Sequence, residues 1–268
     1  MMKQTKLTYM APFLLVAAAG LVTALGMRAQ QQPGPAPRVP AESAAPIDLT
    51  GYWVSIVTED WRFRMIVPDK GDYASVPLTP EGRKILGTWD PAKDQAEGNQ
   101  CKSYGAAAIM RVPGRLHISW ENNDTLRIDT DSGTQSRLLH FDPSPPANEA
   151  ASWQGYSVAD WEGERPMPAF MRRANPPNQP PEGYLKVITT HMRPGYLRKN
   201  GVPYSGDAVL EEYFDTFKEL NGDQWLVVTS VVTDPAYLFQ PFITSTHFKK
   251  LSSDSGWDPT ECHANQPR

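Results

Sequence analysis

Glu211 and Glu212 stand side by side in a stretch, residues 209–220, patterned like a β-strand. Successive side chains on a strand point to opposite faces, so one of these carboxyls must face inward whichever register the strand takes. A carboxyl held in an apolar interior has its pKa raised and can serve as a general acid or base. Histidine is its natural counterpart. His191 shares a strand face with Val187 and Thr189, and His247 shares one with Ile243 and Ser245, while His117 and His140 stand on strand-like segments of their own. Glu212, Glu211, His191 and His247 are therefore the candidate catalytic residues, for proton-transfer chemistry such as hydration, isomerisation or lyase cleavage. The pattern is met equally well if each histidine is separately hydrogen-bonded or exposed and the inward glutamate pairs with Arg193, Arg198 or Lys199.

A second set of residues suits binding rather than catalysis. Trp53, Trp61, Trp120, Tyr213, Phe214 and Trp225 lie on expected strands, and an aromatic wall with a few polar groups is what a small-ligand cavity in a barrel of about eight strands uses. Most aromatic side chains in any such domain are ordinary core. No nucleophile elbow, phosphate-binding glycine loop or His-Glu-x-x-His helix occurs, which removes several common enzyme classes. The two cysteines, Cys101 and Cys262, lack Cys-x-x-Cys spacing, so Cys262-His263 is a weak metal candidate and a disulfide is the expectation. Neither a metal nor another cofactor is expected.

The elements that must position these residues read as an all-β domain. Residues 48–57 and 61–67 are aromatic and β-branched, as strands are. Thr79-Pro80-Glu81 opens a short helix that carries Ile85, Leu86 and Trp89 on one face and is stopped by Asp90-Pro91. Strands at 115–121, 125–131 and 134–141 are joined by connections short enough to force antiparallel neighbours. Further strands fall at 155–161, 184–193, 209–220, 224–233 and 243–250, with Asn221-Gly222 as a strong hairpin signal. About ten strands and one helix favour an antiparallel meander barrel, with a two-sheet β-sandwich as the alternative. Residues 142–183 form an insertion with nine prolines, either a functional loop or a packed surface excursion.

The start of the chain predicts export. Lys3 and Lys6 precede an uncharged stretch over 7–27, the order of a secretory leader, with cleavage near Ala24-Leu25-Gly26 or after Ala29. Residues 1–29 are thus expected as signal peptide, 30–46 as a Pro- and Gln-rich linker, and 47–268 as one domain, periplasmic or secreted, with no membrane span once the leader is removed. Such a compartment permits the disulfide. A formal charge of −4, more negative without the basic leader, makes nucleic acid an unsuitable partner.

Gly51-Tyr52-Trp53 resembles the Gly-x-Trp of the lipocalin-type first strand. Further on, Trp161-Glu162-Gly163, Thr189-Thr190, Gly201-Val202-Pro203-Tyr204-Ser205, Glu212-Tyr213-Phe214 and Thr233-Asp234-Pro235 succeed one another. With Leu78-Thr79-Pro80-Glu81-Gly82, that succession is similar to a family of uncharacterised bacterial secreted proteins. The resemblance implies a shared lipocalin-like fold and export and brings no activity with it; the stretch 164–183 departs from it as an insertion. The leading expectation is an exported binding protein for an apolar or amphipathic small molecule. The alternatives are an acid/base enzyme on the same scaffold and an envelope protein with a structural or partner-binding role.

Overall fold

The structure is a computed structural model that describes residues 38–142, 148–163 and 183–268. The expected leader, the first eight residues of the linker and most of the proline-rich insertion lie outside the described residues. Among the described residues eleven strands are formed: β1 (Gly51–Ile56), β2 (Arg115–Asn122), β3 (Thr125–Thr130), β4 (Gln135–His140), β5 (Tyr156–Gly163), β6 (Gly183–Thr190), β7 (Gly195–Tyr196), β8 (Pro203–Tyr204), β9 (Val209–Lys218), β10 (Gln224–Thr233) and β11 (Phe242–Lys250). Nine of them close into a barrel in the order β1-β11-β10-β9-β6-β5-β4-β3-β2, while β7 and β8 pair separately.

The expected all-β barrel is therefore present, but it is mixed rather than wholly antiparallel. Nine strands cannot alternate in direction all the way round a closed ring, so at least one neighbouring pair must run parallel. That pair is β4 with β5, and it is thin: only Leu139↔Ser157 and His140↔Val158 are in register. Between these strands the chain must return from one end of the barrel to the other, which the sequence pattern of a meander did not foresee.

Alternation along the strands fills the interior. Trp53, Ile118, Leu139, Val187, Phe214 and Phe248, from six different strands, are at most 1% exposed, and each such side chain contributes about 1.5–3 kcal/mol through burial. Trp53 also donates from Nε1 to the Leu49 carbonyl at 2.9 Å. Lys250, directly across from it on β11, lays its ammonium 5.2 Å from the Trp53 ring centre. Gly51 at φ +107° stands 3.3 Å short of Lys250 Cε with any added Cβ, which explains the Gly-x-Trp pattern locally: glycine makes the bend and lets the lysine cross.

Helices are short and more numerous than expected: α1 (Ala41–Ala44), α2 (Trp61–Arg64), α3 (Pro80–Gly87), α4 (Pro91–Ala96) and α5 (Ala106–Ile109). The strand expected at 61–67 is α2 instead. Its burial runs in pairs, with Trp61 and Arg62 exposed and Phe63 and Arg64 buried, where a strand would alternate. Thr79 caps α3 by accepting from Gly82 N at 3.1 Å. Asp90-Pro91, expected as a stop, is also the start of α4: Asp90 accepts from Ala92 N and Lys93 N, and the proline takes a first-turn position.

One end of the barrel, its base, is closed by a second apolar cluster that includes Val76, Leu86, Leu197, Val202 and Phe242. Three of the sequence motifs meet there. Ser205 donates from N and Oγ to Asp234 at 2.6 and 2.8 Å, joining the Gly-x-Pro-x-Ser turn to Thr-Asp-Pro. Thr79 donates from N to the Tyr237 carbonyl at 2.9 Å and from Oγ1 to the Ala236 carbonyl at 3.0 Å, adding the start of α3. Gly201, at φ +83°, packs against Trp89 so closely that a Cβ would fall 2.2 Å from Trp89 Cγ.

Cys101 and Cys262 form a disulfide across 161 residues, with Cα atoms 5.1 Å apart. The bridge ties the C-terminal tail to the body of the domain, and the tail is further held where His263 N donates to Tyr104 Oη at 3.1 Å. Replacing both cysteines by serine should lower stability by about 2–5 kcal/mol in urea unfolding while far-ultraviolet circular dichroism keeps its β-barrel form. Gly201→Ala, which meets both a left-handed backbone and the Trp89 ring, should cost about 1–3 kcal/mol in the same assay.

Candidate functional site

Of the adjacent glutamates, Glu212 is the inward one. It is fully buried on β9, and Arg137 of β4, also buried, donates to it from Nη2 at 2.7 Å and from Nη1 at 3.4 Å. Three hydroxyls complete the surroundings: Arg137 Nη2 reaches Thr189 Oγ1 at 3.3 Å, Thr189 Oγ1 lies 2.8 Å from Ser157 Oγ, and Ser230 Oγ donates to Glu212 at 3.4 Å. The expected ion pair thus exists with a different partner. Arg137 was not singled out because it lies 75 residues away; its place between Gln135 and Leu139 on the inward face of a strand was the available signal.

The other candidate acid and base residues stand apart from this network. Glu211 faces outward, takes an ion pair from Lys186 at 3.1 Å and accepts from the Tyr213 hydroxyl. Those hydrogen bonds, from Tyr213 first and Lys186 second, hold its pKa below the usual carboxylate range. His247 is on the outer face of β11, with Nδ1 3.0 Å from Glu59. His191 follows β6 at φ +56° and is exposed, with Nδ1 2.9 Å from Thr190 Oγ1. His117 stacks on Tyr52 at 4.3 Å and His140 on Tyr156 at 4.7 Å. The histidines do not converge, and among the described residues no group of three or more metal-ligating side chains is assembled.

The aromatic candidates divide in the same way. Trp53 and Phe214 are core, and Trp120 points to the open end of the barrel. Trp61 sits 63% exposed on α2. Tyr213 and Trp225 lie on outward faces, the latter stacked with Phe217 at 6.4 Å. Alternation explains each outcome: Tyr213 and Trp225 are neighbours of inward Phe214 and Leu226, so they must face out.

At the barrel mouth, opposite the base, a cleft of about 400 Å³ is lined by Trp120, Leu126 and Trp161 on one side and by residues 45–49 on the other. That volume is at the lower end of ordinary ligand pockets. Phe141 joins the two tryptophans, 5.7 Å from Trp120 and 5.4 Å from Trp161. The segment expected as a tether forms the opposite wall: Trp161 Nε1 donates to the Ala41 carbonyl at 2.9 Å, Ala41 N to Asp124 Oδ1 at 2.8 Å, and Glu42 N to the Asn123 carbonyl at 3.0 Å. Asp124 and Asn123 belong to the β2–β3 turn, so the hairpin tip holds the segment down. Two acids stand at the rim, Glu42 and Asp48. Partial burial works to raise the Asp48 pKa, but hydrogen bonds from Thr50 and the charge of Lys250 outweigh it and hold the carboxyl ionised below its usual range.

The fold and this cleft define a mixed, nine-stranded β-barrel with a packed interior, a capped base and one aromatic mouth. No protein-family model, no curated protein and no solved structure matches the chain.

Glu212 does not line the mouth cleft; its ion pair with Arg137 ties β9 to β4 inside the barrel. Glu212→Leu or Arg137→Met alone should destabilise by about 3–5 kcal/mol, because each leaves the partner buried without its counter-charge. The double variant Arg137→Met/Glu212→Leu should recover most of that loss in urea unfolding, the mark of direct coupling.

Proposed function

We propose that this protein is an exported binding protein that holds an apolar or amphipathic small molecule in the cleft at its barrel mouth. The single observation that carries the reading is the position of that cleft. The interior is filled by large side chains, so a ligand has no place among the strands, whereas Trp120 and Trp161 offer two aromatic faces beside an apolar floor at Leu126. Stacking and apolar burial on such faces contribute about 0.5–1.5 kcal/mol per aromatic contact beyond area alone. Of the rim acids, Glu42 suits a head group that donates hydrogen bonds or carries positive charge, while Asp48 already accepts from Thr50 and pairs with Lys250. Export is supported by the leader-like start of the chain, by the resemblance to secreted proteins, and by the Cys101–Cys262 bridge, which persists in oxidising surroundings.

Native mass spectrometry of protein purified from its source, followed by organic extraction, should reveal a bound apolar or amphipathic molecule. Trp120→Ala should weaken its rebinding about tenfold, equivalent to roughly 1.4 kcal/mol, and Trp161→Phe less, since the aromatic face is kept. Absence of any extractable molecule, together with no saturable binding of an apolar fluorescent probe, would overturn the reading.

A further inference from the structure

On the outer wall of the barrel lies a cleft of about 410 Å³ that shares no residue with the mouth. Trp53 and Leu116 point inward and are buried, so by alternation Val54 and Ile56 of β1 and Arg115, the first residue of β2, face outward. Met65, just beyond α2 and half exposed, and Pro113 add to the apolar lining. The charged side chains in the lining are Arg115 and Arg268, and among the described residues no carboxylate lines it. The volume is that of a small-ligand site.

The two arginines differ in how far their donors are met. Arg268 donates from Nε to Ser132 Oγ at 3.0 Å, from Nη1 to Asp258 at 3.0 Å, and from Nη2 to Asp131 at 3.0 Å and to the Asp258 carbonyl at 2.6 Å. Arg115 has no such set. Its counter-charge is Asp131, 3.6 Å from Nη1 and beyond hydrogen-bond length. Asp131 is fully buried, and its carboxylate already accepts from Arg115 N at 2.7 Å, from Ser132 Oγ at 3.3 Å and from Arg268. Among the described residues the Arg115 guanidinium therefore donates no hydrogen bond, although its side chain is 26% exposed. Nε is sealed from solvent, which leaves Nη1 and Nη2 to meet an acceptor from the cleft.

The tail fixes this guanidinium without occupying it. Gly256, at φ +77°, lies so close that a Cβ there would fall 2.4 Å from Arg115 Nη2. Its neighbour Trp257 packs edge-on to outward-facing Tyr52 at 5.8 Å, which holds this turn of the tail on the barrel wall. A side chain already held in place has less freedom to lose when an acceptor arrives. Guanidinium donors match a carboxylate in geometry, and such charge-assisted bonds are about twice as strong as neutral ones.

We propose that this cleft is a second binding site, for a small anionic amphiphile whose carboxylate is received by Arg115 and whose apolar chain or ring lies on Val54, Ile56, Met65 and Pro113. Arg268 stays bound to Asp131 and Asp258 and walls the site. The preference for head group reverses that of the mouth, where Glu42 suits a cation, so the two clefts select molecules of opposite charge.

The test uses the full chain, labelled with ¹³C at its methionine methyls and titrated at pH 7 and constant ionic strength with sodium octanoate, octanol or octylammonium chloride, each below its aggregation limit. The Met65 methyl, identified by its loss in Met65→Leu, should shift saturably with octanoate. Octanol and octylammonium should need concentrations about tenfold higher or more. Arg115→Met keeps a side chain of similar reach and should weaken the octanoate response by about tenfold or more. Trp120→Ala, which alters the mouth, should leave that response unchanged, so this site is read separately from the mouth. The comparison of octanoate with octanol needs no variant and decides the matter even if Arg115→Met does not fold. A silent Met65 methyl, equal half-saturation by octanoate and octanol, or an octanoate response unchanged in Arg115→Met or lost in Trp120→Ala, overturns the proposal.

Discussion

A guanidinium and a carboxylate sealed inside the barrel decide which face of the surrounding strands points inward. Arg137, Ser157, Thr189, Glu212 and Ser230 come from five consecutive strands of the ring, β4, β5, β6, β9 and β10. A one-residue slip of β9 would expel Glu212 and bring Glu211 or Tyr213 inside, stranding Arg137. The pair also reaches across the weakest seam. Only two residue pairs register β4 against β5, and Ser157, one of those four residues, belongs to the same network. A buried ion pair is seldom more stabilising than well-packed hydrophobes, but it penalises every alternative register heavily.

The centre of the barrel is packed, and its two ends differ in charge. The mouth has aromatic walls and an acidic rim at Glu42 and Asp48. The base buries the basic side chains of Arg64, Arg111, Arg198 and Lys199 around a small void. The segment 39–49 shapes the first, while the short helices and the β7–β8 turn shape the second. The mouth also takes Trp120, Leu126 and Trp161 from β2, β3 and β5, so only the wall made by segment 39–49 could change there without disturbing the hydrogen-bonded ring.

What the sequence made legible follows period two. Strand positions, the Asn221-Gly222 hairpin and the inward burial of Trp53 and Phe214 are all local consequences of alternation and turn chemistry. The disulfide was legible by counting. Less readable were features set by distant partners: Arg137 opposite Glu212, the parallel β4–β5 pair, and the fold-back of residues 41–46 onto the mouth. Residues 61–67 misled because aromatic and β-branched content mimics a strand, although Asp60 adopts φ 51° and turns the chain into α2. The motifs that stood out, Gly201 to Ser205 and Thr233 to Pro235, proved to be joints of the base cap. They are recognisable because steric fit at Trp89 and hydrogen bonds to Asp234 restrict them, whereas the buried basic residues of the base, Arg64, Arg111, Arg198 and Lys199, are scattered over three segments with no pattern in common.

The ring closes where β1 pairs with β11, Trp53 facing Lys250, so the first barrel strand made must wait for the last. During synthesis β1 can be held by β2, but its other edge stays bare until residues 242–250 have emerged, and β10 is bare on the same side. Closure of so long a loop is slow and comes late. A chain truncated before β11 would therefore be a sheet with two unprotected edges, open to pairing with other copies, rather than a smaller barrel.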